Sequence, residues 1–167
     1  MRAVLATTSL SLVAAHLFFS SFVIRCAVPA FDVTPDDLGF SLRLGRNTNY
    51  CYPLDSAQAL PDFRPLESGI LAYPWEGASL AFGYPIEVSS SIYRAGDLLP
   101  LLNGLEYRNP NTLESVLNDY RFSFSGRRPR LLTFEQSVTF CAPVNRAQGA
   151  MRNRVGGWTE ETPESWV

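Results

Sequence analysis

The pattern of hydrophobic and polar positions begins with a long uncharged segment. No formal charge lies between Arg2 and Arg25 if His16 is taken as neutral, which leaves 22 consecutive residues without charge. A helix rises about 1.5 Å per residue, so a segment of this length is just long enough to span a bilayer. The pattern predicts that residues 3–24 are helical and do not pack in the core formed by the rest of the chain.

The same segment also has the layout of a secretory signal peptide. A basic start and an apolar run are followed by Val28 and Ala30, whose small side chains suit the recognised positions before a cleavage at Phe31. Residues 1–30 are therefore predicted to be either a cleaved signal peptide or a retained membrane anchor. Residues 31–167 are predicted to form a single β-rich globular domain.

Strand patterns dominate the middle of the chain. Apolar and polar residues alternate over residues 40–44, which predicts a first strand. Residues 70–73, 79–82 and 86–93 are apolar or β-branched segments separated by turn residues. This spacing predicts a meander of three antiparallel strands.

The next part of the chain has helical periodicity. It predicts helices over residues 96–105 and 111–120, the second capped by Asn111. Strand patterns return at residues 121–125 and 131–140, with a hairpin loop between them. The predicted fold class is α+β and β-dominated: an antiparallel sheet or meander with two short helices, plus the N-terminal apolar helix.

The composition adds one unusual feature, the absence of lysine. All fourteen basic residues are arginine, whereas lysine is among the commonest residues of average domains. Arginine keeps the positive charge but lacks the ε-amine that is acetylated or ubiquitinated. The absence favours a chain selected against lysine modification, such as a secreted effector; codon bias is the alternative explanation.

The charge is small overall but unevenly distributed. The net charge is −2, too small to direct the chain strongly to nucleic acid or to an anionic membrane. Residues 31–120 carry twelve acids and five arginines, and residues 121–155 carry seven arginines and one acid. Either the two parts attract each other within one fold, or Arg127, Arg128 and Arg130 form an exposed basic loop for docking or proteolytic processing.

The cysteines bear on the same question of export. Cleavage before Phe31 would remove Cys26 and leave Cys51 and Cys141 as an even pair. In an oxidising compartment these two residues are predicted to form a disulfide. Closing a loop of about 90 residues would stabilise the fold by roughly 4 kcal/mol in the chain-entropy model.

The available side chains exclude several classes of chemistry. Past the N-terminal segment there is no histidine, and there is no lysine anywhere. Catalytic triads, zinc-ligand sets, Walker loops and dinucleotide-binding loops are absent as motifs. Carboxylates, tyrosines and arginines remain, so a carboxylate pair or a transferase that needs one glutamate is not excluded. No catalytic residue, metal or cofactor is predicted.

One pattern keeps a specific enzymatic alternative open. Arg43, the serines at 89–91 and the pair Glu160 and Glu161 follow the order arginine, serine-rich strand, glutamate. That order occurs in ADP-ribosylating toxins, although the full motifs of those toxins are missing here. This alternative is a lysine-poor enzyme that consumes NAD.

The leading functional prediction is an exported or membrane-anchored interaction protein without enzymatic activity. It would be a secreted effector or immune-modulating protein that binds a host protein, with its domain on the extracytoplasmic side. An accessory single-span subunit of a membrane complex is the second possibility. A protein partner is expected, membrane contact would come through residues 3–24, and the oligomeric state stays open.

Overall fold

The computed structural model describes residues 3–5 and 21–139, and the side chains of residues 25–139. Its strands and helices follow in chain order: β1 (Ala3–Leu5), α1 (Ser21–Val33), β2 (Asp37–Ser41), β3 (Tyr50–Cys51), β4 (Ser56–Ala57), β5 (Arg64–Pro65), β6 (Ile70–Pro74), β7 (Ser91–Arg94), α2 (Ala95–Gly104), α3 (Pro110–Asp119) and β8 (Arg130–Phe134). Short 3-10 helices occupy Tyr52–Leu54, Glu67–Gly69, Leu80–Gly83 and Arg121–Phe124. The described chain is therefore a mixed α and β protein.

One mixed sheet organises the described residues. Its strand order is β1-β7-β2-β8-β6-β5, and β3 pairs with β4 in a separate two-stranded sheet. β2 and β8 run parallel, whereas all other neighbours in the main sheet are antiparallel. A parallel pair needs a long crossover, and here nearly ninety residues of chain between Ser41 and Arg130 provide it.

The two faces of the sheet bury two separate hydrophobic clusters. Tyr73 and Tyr93 lie in the cluster that includes Leu98 of α2 and Leu117 of α3. The opposite face carries a second list of buried residues: Ala27, Ala30, Phe31, Phe40, Leu42, Ile70, Ala72, Ile92, Leu132 and Phe134. Because both faces are covered, β2 is buried along its whole length and does not alternate with solvent.

The predicted three-strand meander is wrong beyond its first strand. Residues 70–73 do lie in β6, but Leu80–Gly83 is a 3-10 helix, and of the third predicted strand only residues 91–93 are a strand, within β7. β6 and β7 are not neighbours, because β8 and β2 lie between them. Residues 86–90 do not form a strand, because the Glu87 side chain accepts the backbone N–H groups of Ser89 and Ser90.

The hairpin predicted after the helices is also wrong. Arg121–Phe124 forms a 3-10 helix, in which N–H groups such as that of Ser123 bond to carbonyls three residues earlier. Of the second predicted strand, residues 131–134 are a strand, within β8, and the antiparallel partner of β8 is β6. Short apolar runs fit helix and strand equally well, so tertiary contacts decide between them.

Both predicted helices are present, with one change at the cap. α2 and α3 begin and end within about one residue of the predicted bounds. Asn109, not Asn111, caps α3 by accepting the Thr112 N–H at 2.9 Å, and Thr112 is the reciprocal partner in the capping box. With Asn111 as the cap, Glu114 would have been the reciprocal partner in the capping box. Glu114 instead accepts the backbone N–H of Val88, in the segment before β7.

The described residues do not test the predicted N-terminal apolar helix, which stays a prediction. Ala3–Leu5 is a strand paired with β7, because the edge of β7 offers backbone partners. Residues 6–20 lie outside the described residues. α1 covers Ser21–Val33 and packs Phe31 on the sheet. In the described part of the chain, no helix has the length and apolarity needed to cross a bilayer.

Candidate functional site

A cluster of charged and phenolic side chains lies at the edge where β2 ends. We define the carboxyl-edge cluster as Arg43, Tyr84, Glu87 and Glu114. β2 and β8 run parallel, so their carboxyl ends meet at this edge, and the carboxyl ends of parallel strands are the usual place for ligand sites in α/β sheets. Arg43 follows β2 by two residues, and Glu87 precedes β7 at the same edge.

Glu87 is the buried centre of this cluster. Its side chain accepts hydrogen bonds from the backbone N–H groups of Ser89 and Ser90 and from the hydroxyls of Ser89, Ser90 and Ser91, at 2.5 to 3.1 Å. Only 4% of the residue is exposed. A carboxylate with this many donors is satisfied although it is buried.

Arg43 contributes charge to the cluster without hydrogen bonds. Its Nε lies 3.8 Å from Glu87 Oε2, and its side chain is 23% exposed. Among the described residues it donates no hydrogen bond, because the oxygens of Glu87 are already occupied by the serines. The guanidinium therefore balances a buried charge, while its five N–H donors form no hydrogen bond within residues 25–139.

α3 and β7 hold the segment that carries Glu87. The Asn118 side chain bonds both backbone groups of Ile86, and Glu114 Oε2 accepts the Val88 N–H at 2.8 Å. The Tyr93 hydroxyl accepts the Glu87 N–H at 2.9 Å and has carbonyl acceptors within 3.1 Å. These contacts fix an irregular segment as firmly as a strand ladder would.

The two glutamates have pKa values displaced in opposite directions. Burial alone would raise the pKa of Glu87, but the Arg43 charge and the serine donors outweigh burial and lower it. Burial raises the pKa of Glu114, the Val88 N–H partly offsets this, and the nearby charge of Glu87 raises it further. The surroundings therefore favour the ionised form of Glu87 and the protonated form of Glu114.

The remaining groups keep their protons over the physiological range. Burial raises the pKa of Tyr73, Tyr84 and Tyr93 well above the usual value, with the Glu114 charge adding to the effect at Tyr84 and that of Glu87 at Tyr93. Burial would lower the pKa of Arg43, but Glu87 and Glu114 raise it overall. The tyrosines therefore stay protonated and Arg43 stays a cation.

Sequence reasoning found one of the four cluster residues, Arg43, and the serines that surround Glu87. Arg43 and the serines at 89–91, singled out by the toxin-like pattern, do come together, but around Glu87. Glu160 and Glu161 lie outside the described residues. The missed signal was the run Glu87-Val-Ser-Ser-Ser, in which a carboxylate is followed directly by several short donors.

The predicted basic loop lies at the opposite edge of the sheet and is largely paired. Arg128 Nε donates to Asp97 Oδ2 at 2.9 Å, and Arg127 Nη1 lies 3.3 Å from Asp97 Oδ1. Arg130 Nε donates to Asp37 Oδ1 at 2.8 Å. We call these five residues the amino-edge network. It favours the interpretation in which the acidic and basic parts of the chain attract each other.

Only one of the three arginines is strongly exposed. The side chain of Arg127 is 59% exposed, against 14% for Arg128 and 29% for Arg130. Arg128 also donates to the carbonyl of Pro35, two residues after the end of α1. A docking or processing role for this loop stays a prediction, with Arg127 as its accessible residue.

The predicted disulfide also stays a prediction. Cys51 is 5% exposed and Cys26 is half-buried, and no disulfide joins the described residues. Cys141 lies outside the described residues. In the same described part of the chain, no group of three or more His, Cys, Asp or Glu side chains is placed to hold a metal ion.

One curated protein matches the sequence. Over 121 residues, 68% of this chain, it is 23% identical to the bifunctional glycosyltransferase pgtA of Dictyostelium discoideum. The matched part is 16% of the length of that protein. No protein-family model and no solved structure matches the chain.

Proposed function

We propose that this chain forms part of a glycosyltransferase domain and that the carboxyl-edge cluster carries the transfer. The observation that carries the proposal is the packing of two carboxylates, the buried Glu87 and the half-buried Glu114, around the segment before β7, with the partly exposed Arg43 3.8 Å from Glu87 Oε2. The similarity to a glycosyltransferase over 68% of the chain supports the same chemistry.

Transfer of a sugar to a hydroxyl needs a base for the acceptor proton. In the proposed step the acceptor oxygen forms a bond to the anomeric carbon and its proton passes to the Glu114 carboxylate. The bond from the anomeric carbon to the leaving oxygen breaks, and the leaving group takes that electron pair. The raised pKa of Glu114 suits a base, because proton transfer is most efficient when the pKa approaches the working pH.

Glu87 has a different role in the proposal. Its lowered pKa keeps it ionised, and its serine contacts make it a fixed part of the structure. It would therefore position Arg43 and the segment before β7, and would not itself exchange protons. The two glutamates thus separate the structural and chemical tasks of one site.

The test is transfer by the full chain with and without the proposed base. The protein is incubated with nucleoside diphosphate sugars and a glycan acceptor, and the product is followed by mass spectrometry. Glu114→Gln should lower the transfer rate by roughly 100-fold or more. Glu106→Gln, an exposed glutamate outside the cluster, should leave the rate unchanged. Transfer that survives Glu114→Gln would exclude this base.

The interaction protein predicted from the sequence is a second proposal. Tyr120 and Phe122 are 48% and 60% exposed, and the Arg121 guanidinium lies 4.2 Å above the Phe122 ring. Aromatic and arginine side chains are enriched in protein interfaces. Export of the chain and its placement at a membrane likewise remain proposals, based on the N-terminal segment and the lysine-free composition.

A further inference from the structure

The charge of Arg43 is paired with that of Glu87, yet its N–H groups form no hydrogen bond among the described residues. Its contact with Glu87 is an ion pair at 3.8 Å, longer than a hydrogen bond. Within the described part of the chain no acceptor takes its N–H groups, and 23% of its side chain is exposed. Its N–H groups can therefore donate to water, to a ligand or to residues outside the described part of the chain.

The serines explain why Glu87 leaves those donors available. Five hydroxyl and backbone donors from Ser89, Ser90 and Ser91 fill its two oxygens at 2.5 to 3.1 Å. Glu87 can thus neutralise Arg43 through space without accepting its hydrogen bonds. The site keeps a planar fork of donors that carries little net positive charge.

The charges around this fork decide which ligand fits. Arg43, Glu87 and Glu114 sum to −1 when Glu114 is ionised and to zero when it is protonated. A carboxylate on the bound sugar ring would meet two carboxylates and a cation that is already balanced, so it would be repelled. A neutral hydroxyl can accept from Arg43 and donate to Glu114, and the Tyr84 hydroxyl is half-buried beside Glu114.

We propose that the carboxyl-edge cluster binds a neutral sugar ring, with Arg43 donating to adjacent hydroxyls and Glu114 accepting from one of them, and that it rejects sugars carrying a carboxylate. This inference rests on the proposed glycosyl transfer and names the substrate class of that site. Arg43 is the specificity-determining residue, because its paired charge removes the attraction that an unpaired arginine would give to an acid.

The test is direct binding, measured by calorimetry and by NMR shifts on the full chain. Galactose and glucose are compared with galacturonate and glucuronate, in which a carboxylate replaces the C6 hydroxymethyl group of the same ring. At least one neutral sugar should bind about tenfold more tightly than its uronate, a difference of about 1.4 kcal/mol. Equal or tighter binding of the uronate overturns the inference, and so does the absence of binding at roughly 50 mM of every neutral sugar.

Two matched variants keep the test independent of folding. Arg43→Lys retains the charge beside Glu87 but loses the planar fork, so neutral-sugar affinity should fall about tenfold at an unchanged melting temperature. Arg108→Lys, an exposed arginine outside the cluster, should bind like the unmodified chain. Unchanged affinity in Arg43→Lys overturns the inference.

The binding test and the transfer test can fail separately. Selective binding of neutral sugars without any transfer would support this inference and refute the proposed function. Efficient transfer from uronate donors would support the proposed function and refute this inference.

Discussion

At the scale of single residues, the candidate site depends on a close approach between Gly39 and Tyr93. A Cβ atom on Gly39 would lie 2.6 Å from two carbons of the Tyr93 ring. That ring is 2% exposed, and its hydroxyl fixes the backbone of Glu87. The missing side chain of Gly39 therefore determines where the segment with Glu87 can sit.

Replacing this glycine should disturb stability and site together. Gly39→Ala should lower the free energy of unfolding by roughly 1–3 kcal/mol, because a buried ring cannot move away without strain. Urea denaturation measures the loss. Gly104→Ala is the matched control: no atom lies within 4 Å of its ideal Cβ, and alanine is the better helix former. An unchanged urea midpoint for Gly39→Ala would contradict this prediction, because it would show that the Tyr93 ring can move aside without loss of stability.

The residue-scale features were only partly readable from the sequence. Arg43 and the serines were identified as candidates because arginine and short hydroxyl residues have recognisable chemistry. Glu87 and Glu114 were not, because their importance comes from burial and from each other's charge. Such effects depend on tertiary contacts that no local pattern encodes.

At the scale of elements, α1 is held to the sheet by contacts at its carboxyl end. Arg94 Nη2 donates to the carbonyls of Phe31 and Thr34 at 2.6 and 2.9 Å, and its guanidinium lies 4.7 Å from the Phe31 ring centre. A cation at a helix carboxyl end also interacts favourably with the helix dipole. Arg94 thus replaces the backbone partners that the last turn of a helix lacks.

Removing this side chain should loosen α1 more than the sheet. Arg94→Met should cost roughly 2–3 kcal/mol, because two buried carbonyls lose a charged donor. Hydrogen exchange should accelerate most at the amides of α1. Arg64→Met, an exposed arginine on β5, should change neither measurement. Uniform acceleration across the sheet would argue against a local role of Arg94.

Helices were more predictable than strands for a physical reason. α2 and α3 have local hydrogen bonds and an apolar face, so periodicity alone located them. The segment predicted as a strand at 121–125 forms a 3-10 helix over Arg121–Phe124. The Glu87 side chain bonds backbone N–H groups before β7, such as that of Ser90, that a strand would have used for pairing. A strand needs a partner, and the partner is set by the rest of the fold.

At the scale of the whole molecule, the sheet brings together parts of the chain that are distant in sequence. β2 lies between β7 and β8, so the acidic early segment and the basic later segment meet at one edge. The uneven charge distribution was visible in the sequence. In the amino-edge network, acids of the early segment form ion pairs with arginines of the later segment. The parallel pairing of β2 with β8 was not predictable, because it joins strands nearly ninety residues apart.

The two glutamates should give the whole molecule opposing pH dependences of stability. Glu87 has a lowered pKa in the folded state, so the unfolded chain binds its proton more readily. Its contribution is present above the unfolded pKa of about 4.3 and is lost as the pH falls through the folded value. Glu114 has a raised pKa in the folded state, so the folded chain holds its proton longer. Its contribution is present below the unfolded pKa and is lost as the pH rises through the folded value.

Urea midpoints between about pH 3 and pH 8 can separate these contributions. Glu114→Gln should reduce the loss of stability as the pH rises above about 4.3, because the neutral amide has no proton to release. Glu87→Gln should be less stable by roughly 3 kcal/mol near neutral pH, because it leaves Arg43 without its countercharge. That deficit should shrink in acid, where the unmodified Glu87 is protonated as well. A deficit that stays constant across the range would mean that Glu87 acts through its shape and hydrogen bonds, and that its charge has no part in holding Arg43.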